Sequence, residues 1–325
     1  MTTAMDRPVV SDGPLSIVVL SGGWSAEREV SLASGRAVID ALRSRDHDVR
    51  ELDPAEIDVL AYPWRGVDVA FIALHGSFGE DGTVQSLLDD LGVAYTGSGP
   101  QASRLAMSKS AAKLRFIAAG LPTPTYHTVH VTDAAAIASD KTGELGYPLV
   151  VKPNGQGSSI GVAIVHDATQ LANALAGAFR YDPLAILEKY IDGRELTVAI
   201  IDRQPLPIIE VRPARPFFDY QAKYQDDSTD YAFDIDLPPE TVRQVESAAI
   251  GAVESLGASG VVRVDLRLDG TGQPWLLEVN TVPGFTDHSL VPKSAARAGI
   301  AFAELCDRLV RARLVPKADS IGAAA

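Results

Sequence analysis

The segment SIVVL at residues 16 to 20 shows no polar alternation, and by residue 30 it gives way to Val30, Ala33, Ala37, Val38, Ala41 and Leu42 at helical spacing. A strand that is apolar on both sides must be covered on both faces, which is the situation of a parallel strand in an open α/β sheet. The pattern repeats in VDVAFIAL (67 to 74), in the short helical stretch GEDGTVQSLLDDLG closed by Gly92, and in VAYTG. Residues 1 to 105 are therefore expected to form an open α/β domain, with residues 1 to 14 as a loose tail.

Beyond it the pattern changes. Lys109 to Ala119 reads as helix until Gly120, Pro122 and Pro124 break it. YPLVVKP and GVAIV then flank the glycine-rich NGQGSSIG (154 to 161), and AILEKYI follows a helix over 168 to 180. This predicts an α+β domain over 106 to 190. From 191 to 325, ELTVAII, LPIIEV, a polar loop from Pro213 to Tyr231, a helix at 240 to 256, and the strand pair VVRVDLRL and PWLLEVN predict a third domain.

The formal net charge of −13 would repel a polyanion, so nucleic acid is not an expected partner. A small anion still binds where a few lysines and backbone N–H groups converge. Cys306 is the single cysteine, which removes intramolecular disulfides and cysteine metal sites and fits a reducing cytoplasm. The N-terminal residues lack the basic and apolar regions of a secretory signal. No apolar run approaches the roughly 18 residues that span a bilayer, so no membrane partner is expected.

Several residues carry chemistry. NGQGSSIG can bring backbone N–H groups and hydroxyls close to phosphates, but no GK[ST] follows, and alone it is equally an ordinary long hairpin. Lys152 ends an apolar strand, where an unpaired ammonium is costly, so it either meets an anion or snorkels to water. Asp265 and Glu278 lie on adjacent strands, and Asn280 shares a face with Glu278, so three hard oxygen donors can converge as for Mg²⁺. A plain polar sheet face is the competing reading. Arg263 shares the face of Asp265, either as a transition-state clamp or as its salt-bridge partner.

These pieces occur in order with SGGWSAEREVSL, ALHGSFGEDGTVQ, AYTGSG, VVKPNGQGSSIGV, FDYQAKY and LLEVNTVPGFTDHSL, from residue 16 to about 313. The ordered set closely resembles the D-alanine:D-alanine ligases of the ATP-grasp superfamily. The resemblance implies a three-domain ATP-grasp fold, α/β and α+β, with a Rossmann-like N-terminal domain. It implies that Lys109 and Lys152 hold ATP phosphates, that Glu188, Lys189, Tyr190 and Ile191 line the adenine pocket, and that Glu195 takes the ribose. Asp265, Glu278 and Asn280 would bind two Mg²⁺, with Mn²⁺ able to substitute, and Arg263 with the Gly284 N–H would hold a tetrahedral intermediate.

By the same resemblance Glu27 receives the first D-alanine's ammonium in a triad with Ser158 and Tyr224, with His75 nearby. Read locally, a helix-capping role is the competing reading of Glu27, and His75 alone reads as a structural histidine. Ser289 and Leu290 would receive the second substrate's carboxylate, and Lys223 with Tyr224 would sit on the closing loop, which disfavours D-lactate. The chain departs from the family pattern at Ser108, at Gln156 and in AFDIDLP after Tyr231, and Trp24 adds an aromatic beside the first-substrate pocket. The expected activity is ADP-forming ligation of two D-alanines through an acyl phosphate in the cytoplasm, for peptidoglycan precursors, with homodimerisation left open. A ligase for D-lactate, D-serine or another dipeptide is the second reading, and a non-catalytic nucleotide-binding regulator the third.

Overall fold

A computed structural model of the chain describes residues 13–133, 142–212, 229–286 and 289–314. The strands β1 (Ser16–Leu20), β2 (Asp48–Leu52) and β3 (Val69–Ile72) form a parallel sheet in the order β2-β1-β3. Its two faces account for the unbroken apolar run. Ile17 and Val19 face helix α1 (Arg28–Arg43), while Val18 and Leu20 join Val84 and Leu88 of α2 (Thr83–Asp90) in a separate cluster.

Helix α3 (Pro100–Met107) leads into α4 (Lys109–Ala118). The first turn of α4 is satisfied from the glycine-rich loop, because Lys109 N–H donates to the Asn154 carbonyl and Ser110 N–H to Asn154 Oδ1, both at 2.9 Å. Ser108, one of the departures, occupies the N-cap position and accepts from Asn154 Nδ2 at 3.1 Å. The loop that faces the cleft and the helix that carries Lys109 into it are thus one unit.

The second sheet is antiparallel, β4-β7-β5-β6, from β4 (Tyr126–His130), β5 (Leu149–Pro153), β6 (Ala163–Val165) and β7 (Leu184–Lys189). Helix α5 (Ala168–Ala178) covers it and starts at Asp167, whose side chain accepts from Thr169 N–H. The third sheet runs β11-β10-β8-β12-β13 with β9 added to β8. Its strands are β8 (Arg194–Ile201), β9 (Gln204–Pro205), β10 (Ile209–Arg212), β11 (Asp230–Ala232), β12 (Val261–Leu268) and β13 (Pro274–Asn280).

Helix α6 (Pro239–Leu256) packs on this sheet through Val245, Ala249, Ala252 and Leu256. It begins with a proline and stops at Gly257 in the left-handed conformation, φ 67°. Two elements bridge sheets: Ala112 and Phe116 of α4 enter the core of the third sheet, and α8 (Phe302–Arg311), after α7 (Leu290–Arg297), returns to α1 and β3 of the first. No described helix is long and apolar enough to cross a membrane.

Two local features set the cleft. The β12–β13 register slips between Asp265 and Leu266, so Asp265 faces Glu278 while Leu266 faces Leu276. Leu277 is the extra residue of a β-bulge and lines the cleft beside Glu278, where strict alternation would place it on the opposite face. Between β7 and β8, Gly193 has φ 142°, and a Cβ there would lie 2.1 Å from the Leu268 carbonyl oxygen. Only glycine fits.

Gly193→Ala should therefore lower stability in urea by about 2 kcal/mol or more, the scale of a strained backbone plus a steric clash. Gly270→Ala, with nothing within 4 Å of the place its methyl would take, should stay within about 0.5 kcal/mol in the same titration.

Candidate active site

Two adjoining cavities open between the sheets. One is lined by Val150, Lys152, Ile164, Tyr190, Ile191, Glu195 and Leu277, an apolar slot with a charged floor. The other is polar and holds Glu27, His75, Glu80, Ser158, Arg263, Asn280 and Gly284. Lys109, Gln156 and Glu278 line both, so they stand at the junction. An apolar slot suited to a flat base thus leads, past a lysine and a carboxylate, into a pocket whose far wall is acidic.

Lys152, expected either to meet an anion or to snorkel, meets one inside the protein: its Nζ donates to Glu188 Oε1 at 2.6 Å, and the side chain is buried. The second carboxylate oxygen of Glu188 lies 2.5 Å from Lys113 Nζ. Burial pushes the Glu188 carboxyl upward, but the two ammonium groups outweigh it and hold the group below its ordinary value. Burial, with Lys152 and Lys109 nearby, pushes the Lys113 ammonium down to about 8 against the pull of Glu188. Lys113 also donates to Thr123 Oγ1 at 2.6 Å, and Thr123 donates to the Leu276 carbonyl on β13 at 2.8 Å. Glu188 therefore borders the slot with its carboxylate already engaged, while Lys189 is exposed at the rim.

At the junction, Lys109 Nζ donates to the Gln156 carbonyl at 2.6 Å and lies 2.9 Å from Glu278 Oε2. Arg263 grips Asp265 with both prongs, Nε to Oδ1 at 2.9 Å and NH2 to Oδ2 at 2.7 Å, and Thr197 Oγ1 donates to Asp265 Oδ1 at 2.6 Å. Asn280 Oδ1 accepts from Val282 N–H at 3.2 Å. The salt-bridge reading of Arg263 and its place beside the donor set hold together in one geometry. Among the described residues no group of three His, Cys, Asp or Glu forms a metal cage. Two carboxylates and a carboxamide on one strand pair nevertheless fit a hard divalent cation that keeps waters and phosphate oxygens among its ligands.

Glu27 holds the N-cap position of α1, but its side chain makes no capping bond. It accepts instead from Ser158 Oγ, across from the glycine-rich loop. Ser158 and Ser159 both adopt left-handed conformations, φ 51° and 58°, so the backbone strain falls where the loop meets Glu27. His75 is satisfied, with Nε2 3.2 Å from Ser34 Oγ and Nδ1 3.3 Å from Glu80 Oε1, yet it also lines the cavity. Burial and the nearby Glu27 charge raise the Glu80 carboxyl above its ordinary value, with His75 opposing. This wall suits a substrate ammonium.

Ser289 and Leu290 do not line either cavity. Ser289 holds the N-cap position of α7 without a side-chain capping bond, its Oγ bonding Thr286 and lying 2.7 Å from where a Cβ on Gly284 would stand, and Leu290 packs on Val211 and Tyr231. Lys223 and Tyr224 lie outside the described residues. Trp24 is exposed and packs edge-on against Phe78, with ring centroids 5.3 Å apart. Ile235 and Leu237 of the departing AFDIDLP segment pack against the core under α6.

Sequence reasoning passed over Glu80 and Lys113. Glu80 had a usable signal, standing five residues after His75 in a loop. Lys113 had none, since a lysine four residues after Lys109 on a helix reads as a solvated surface group.

The family profile described as D-ala D-ala ligase C-terminus matches residues 116–311, and that described as D-ala D-ala ligase N-terminus matches residues 56–98. A D-alanine–D-alanine ligase of Anaeromyxobacter sp. (strain Fw109-5) is 47% identical over 295 residues, spanning 90% of this chain and 95% of the relative. The crystal structure of a Bacillus anthracis D-alanine–D-alanine ligase complexed with ATP aligns with TM-score 0.82 at 36% identity, over 92% of this chain and 97% of that one. The VanG D-Ala:D-Ser ligase of Enterococcus faecalis aligns with TM-score 0.81 at 29% identity, over 92% and 99%.

The buried Lys113–Glu188 pair predicts a non-additive mutant cycle. Glu188→Gln strands two buried ammonium groups and should cost about 3–5 kcal/mol in urea unfolding, whereas adding Lys113→Met should recover part of that loss. Because the fold lowers the Lys113 pKa from 10.5 to about 8, the unfolded chain binds more protons between those values. Wild type should therefore gain stability relative to Lys113→Met as pH rises from about 8 toward 10.5, with no further trend from this group below 8.

Proposed function

The chain belongs to the D-alanine–D-alanine ligase family, and from that premise we propose how its own residues divide the work of an ATP-dependent, ADP-forming ligation of two D-alanines. The observation that supports the proposal is the shared wall at Lys109 and Glu278, where the apolar slot, read as the ATP site, adjoins the acidic pocket, read as the amino-acid site. The peptide product serves peptidoglycan precursor synthesis.

Tyr190 and Ile191 would bury the adenine in the apolar slot, with Glu188 and Lys189 at its edges and Glu195 on the ribose. Lys152 and Lys109 would hold the phosphates, the first buried and pre-aimed by Glu188, the second exchanging its contact with Glu278 for a phosphate oxygen. Glu27, fixed by Ser158, would take the ammonium of the first D-alanine, with His75 and Glu80 completing that wall. This leaves its carboxylate toward the junction, where it attacks the γ-phosphorus in line and ADP departs.

The second D-alanine enters with its carboxylate toward Ser289 and Leu290, where the N-terminus of α7 favours negative charge. Its amine, having lost a proton, attacks the acyl carbon, and the developing oxyanion is met by Arg263 and the Gly284 N–H before phosphate leaves. Lys223 and Tyr224 belong to the proposed closing loop, with Tyr224 as the third member of the Glu27–Ser158 triad. Such a loop would keep water from an acyl phosphate, which hydrolyses readily.

Asp265, Glu278 and Asn280 would hold two Mg²⁺, or Mn²⁺ in their place, which neutralise phosphate charge when bound. We keep a division into domains at 1–105, 106–190 and 191–325, a reading supported by the three separate sheets, with α4 and α8 each packing across a proposed boundary. A cytoplasmic location and a homodimeric assembly complete the proposal.

Incubation with Mg-ATP and D-alanine should release ADP and phosphate in step with D-alanyl-D-alanine. Transfer of ¹⁸O from the D-alanine carboxylate into the released phosphate should accompany it, and AMP with pyrophosphate, or phosphate free of ¹⁸O, would overturn the acyl-phosphate route. Glu278→Gln removes an anionic donor while keeping shape. It should lower kcat/KM by about 100-fold or more and weaken Mn²⁺ binding in the presence of ADP, read by paramagnetic resonance, while the thermal melt moves little.

A further inference from the structure

Arg267 follows Arg263 and Asp265 at two-residue steps along β12, so the three share the face that looks into the cleft. Arg263 and Asp265 have roles in the reading above, and Arg267 has none. Its partner across the ladder is Glu195, the carboxylate that the same reading gives to the ribose.

The guanidinium is held at three points. NH1 lies 3.2 Å from Glu195 Oε2, NH2 donates to the Gly193 carbonyl at 2.8 Å, and Cζ stands 5.8 Å from the centroid of the Tyr190 ring. Arg267 and Glu195 are each only 19% exposed at the side chain, and both line the slot. Gly193 is itself fixed by its turn, where no other residue fits against Leu268. The arginine therefore connects a rigid backbone point, an aromatic wall of the slot and one oxygen of Glu195.

A carboxylate that must read a hydroxyl needs its position fixed to a fraction of an ångström, and a glutamate alone has three rotatable bonds. A planar fork held at its other prong supplies that restraint, while a lysine supplies charge without it. We propose that Arg267 is a positioning and specificity-determining residue, which orients the Glu195 carboxylate toward the ribose hydroxyls and so makes the slot discriminate ribonucleotides from deoxyribonucleotides. The inference rests on the reading of Glu195 as the ribose partner.

The test uses the full chain with D-alanine and saturating Mg²⁺, comparing kcat/KM for ATP, 2′-deoxyATP and 3′-deoxyATP. Wild type should prefer ATP over at least one deoxynucleotide. Arg267→Met should reduce that preference about tenfold, the scale of one charge-assisted hydrogen bond lost or misdirected. Arg267→Lys should fall between the two and carries the test if the methionine variant fails to fold.

Glu195→Gln should reduce the preference to a similar degree, and the double variant should add little. A merely structural role would slow all three nucleotides alike and leave the preference intact, which would overturn the proposal. If Glu195→Gln abolishes the preference and neither Arg267 variant alters it, the inference about Arg267 alone falls. If Glu195→Gln leaves the preference untouched, the ribose reading falls and the inference with it.

Discussion

Glu188 sits at the centre of this molecule's working half, a buried carboxylate divided between Lys152 and Lys113. Lys152 comes from β5, Glu188 from β7 and Lys113 from α4, and through Thr123 the cluster reaches the Leu276 carbonyl of β13. A buried ion cluster of this kind is weak evidence for stability, because desolvation consumes much of the Coulombic gain. What it secures is placement. Hydrogen bonds with defined directions tie the sheet that would carry the phosphate lysine to the strand that carries Glu278 and Asn280, so the two walls of the cleft keep a common register.

The same economy of charge runs along the cleft floor. Lys109 contacts Glu278, and Arg263 contacts Asp265, so residues proposed for phosphate or oxyanion are matched against residues proposed for the metal. A chain with net charge −13 can thereby keep a row of cations inside its cleft without their mutual repulsion opening it. On the proposed reading, substrate and metal would replace these pairings with others of like sign, and the side chains would need to turn rather than travel.

Much of this was legible in residues and some was not. The two-faced apolar run of β1 and the periodic face of α1 follow from burial alone, and the structure keeps both. The strand pair bearing Asp265 and Glu278 was legible as a pair, but the bulge that turns Leu277 into the cleft was not, since a one-residue register slip leaves no mark on composition. Glu27 was ambiguous between cap and ligand until the absence of a capping bond and the contact with Ser158 decided its geometry. Lys113 was invisible because its carboxylate partner, Glu188, comes from a strand far along the chain. Local pattern reports which face of a helix is apolar, and it is silent on a cation that a distant carboxylate draws into the interior.

The return of α8 to the first sheet has a consequence for how such a chain is made. Leu305, Leu309 and Val310 complete the cluster that covers Ile17, Val19 and Phe71, so β1 leaves the ribosome almost three hundred residues before the last part of its cover. At about 5–20 residues per second that is an interval of roughly fifteen seconds or more, during which one face of a parallel sheet has α1 as cover but not α8. Translation speed and the chaperones that meet a nascent apolar surface therefore bear on the yield of this protein more than its finished stability would indicate.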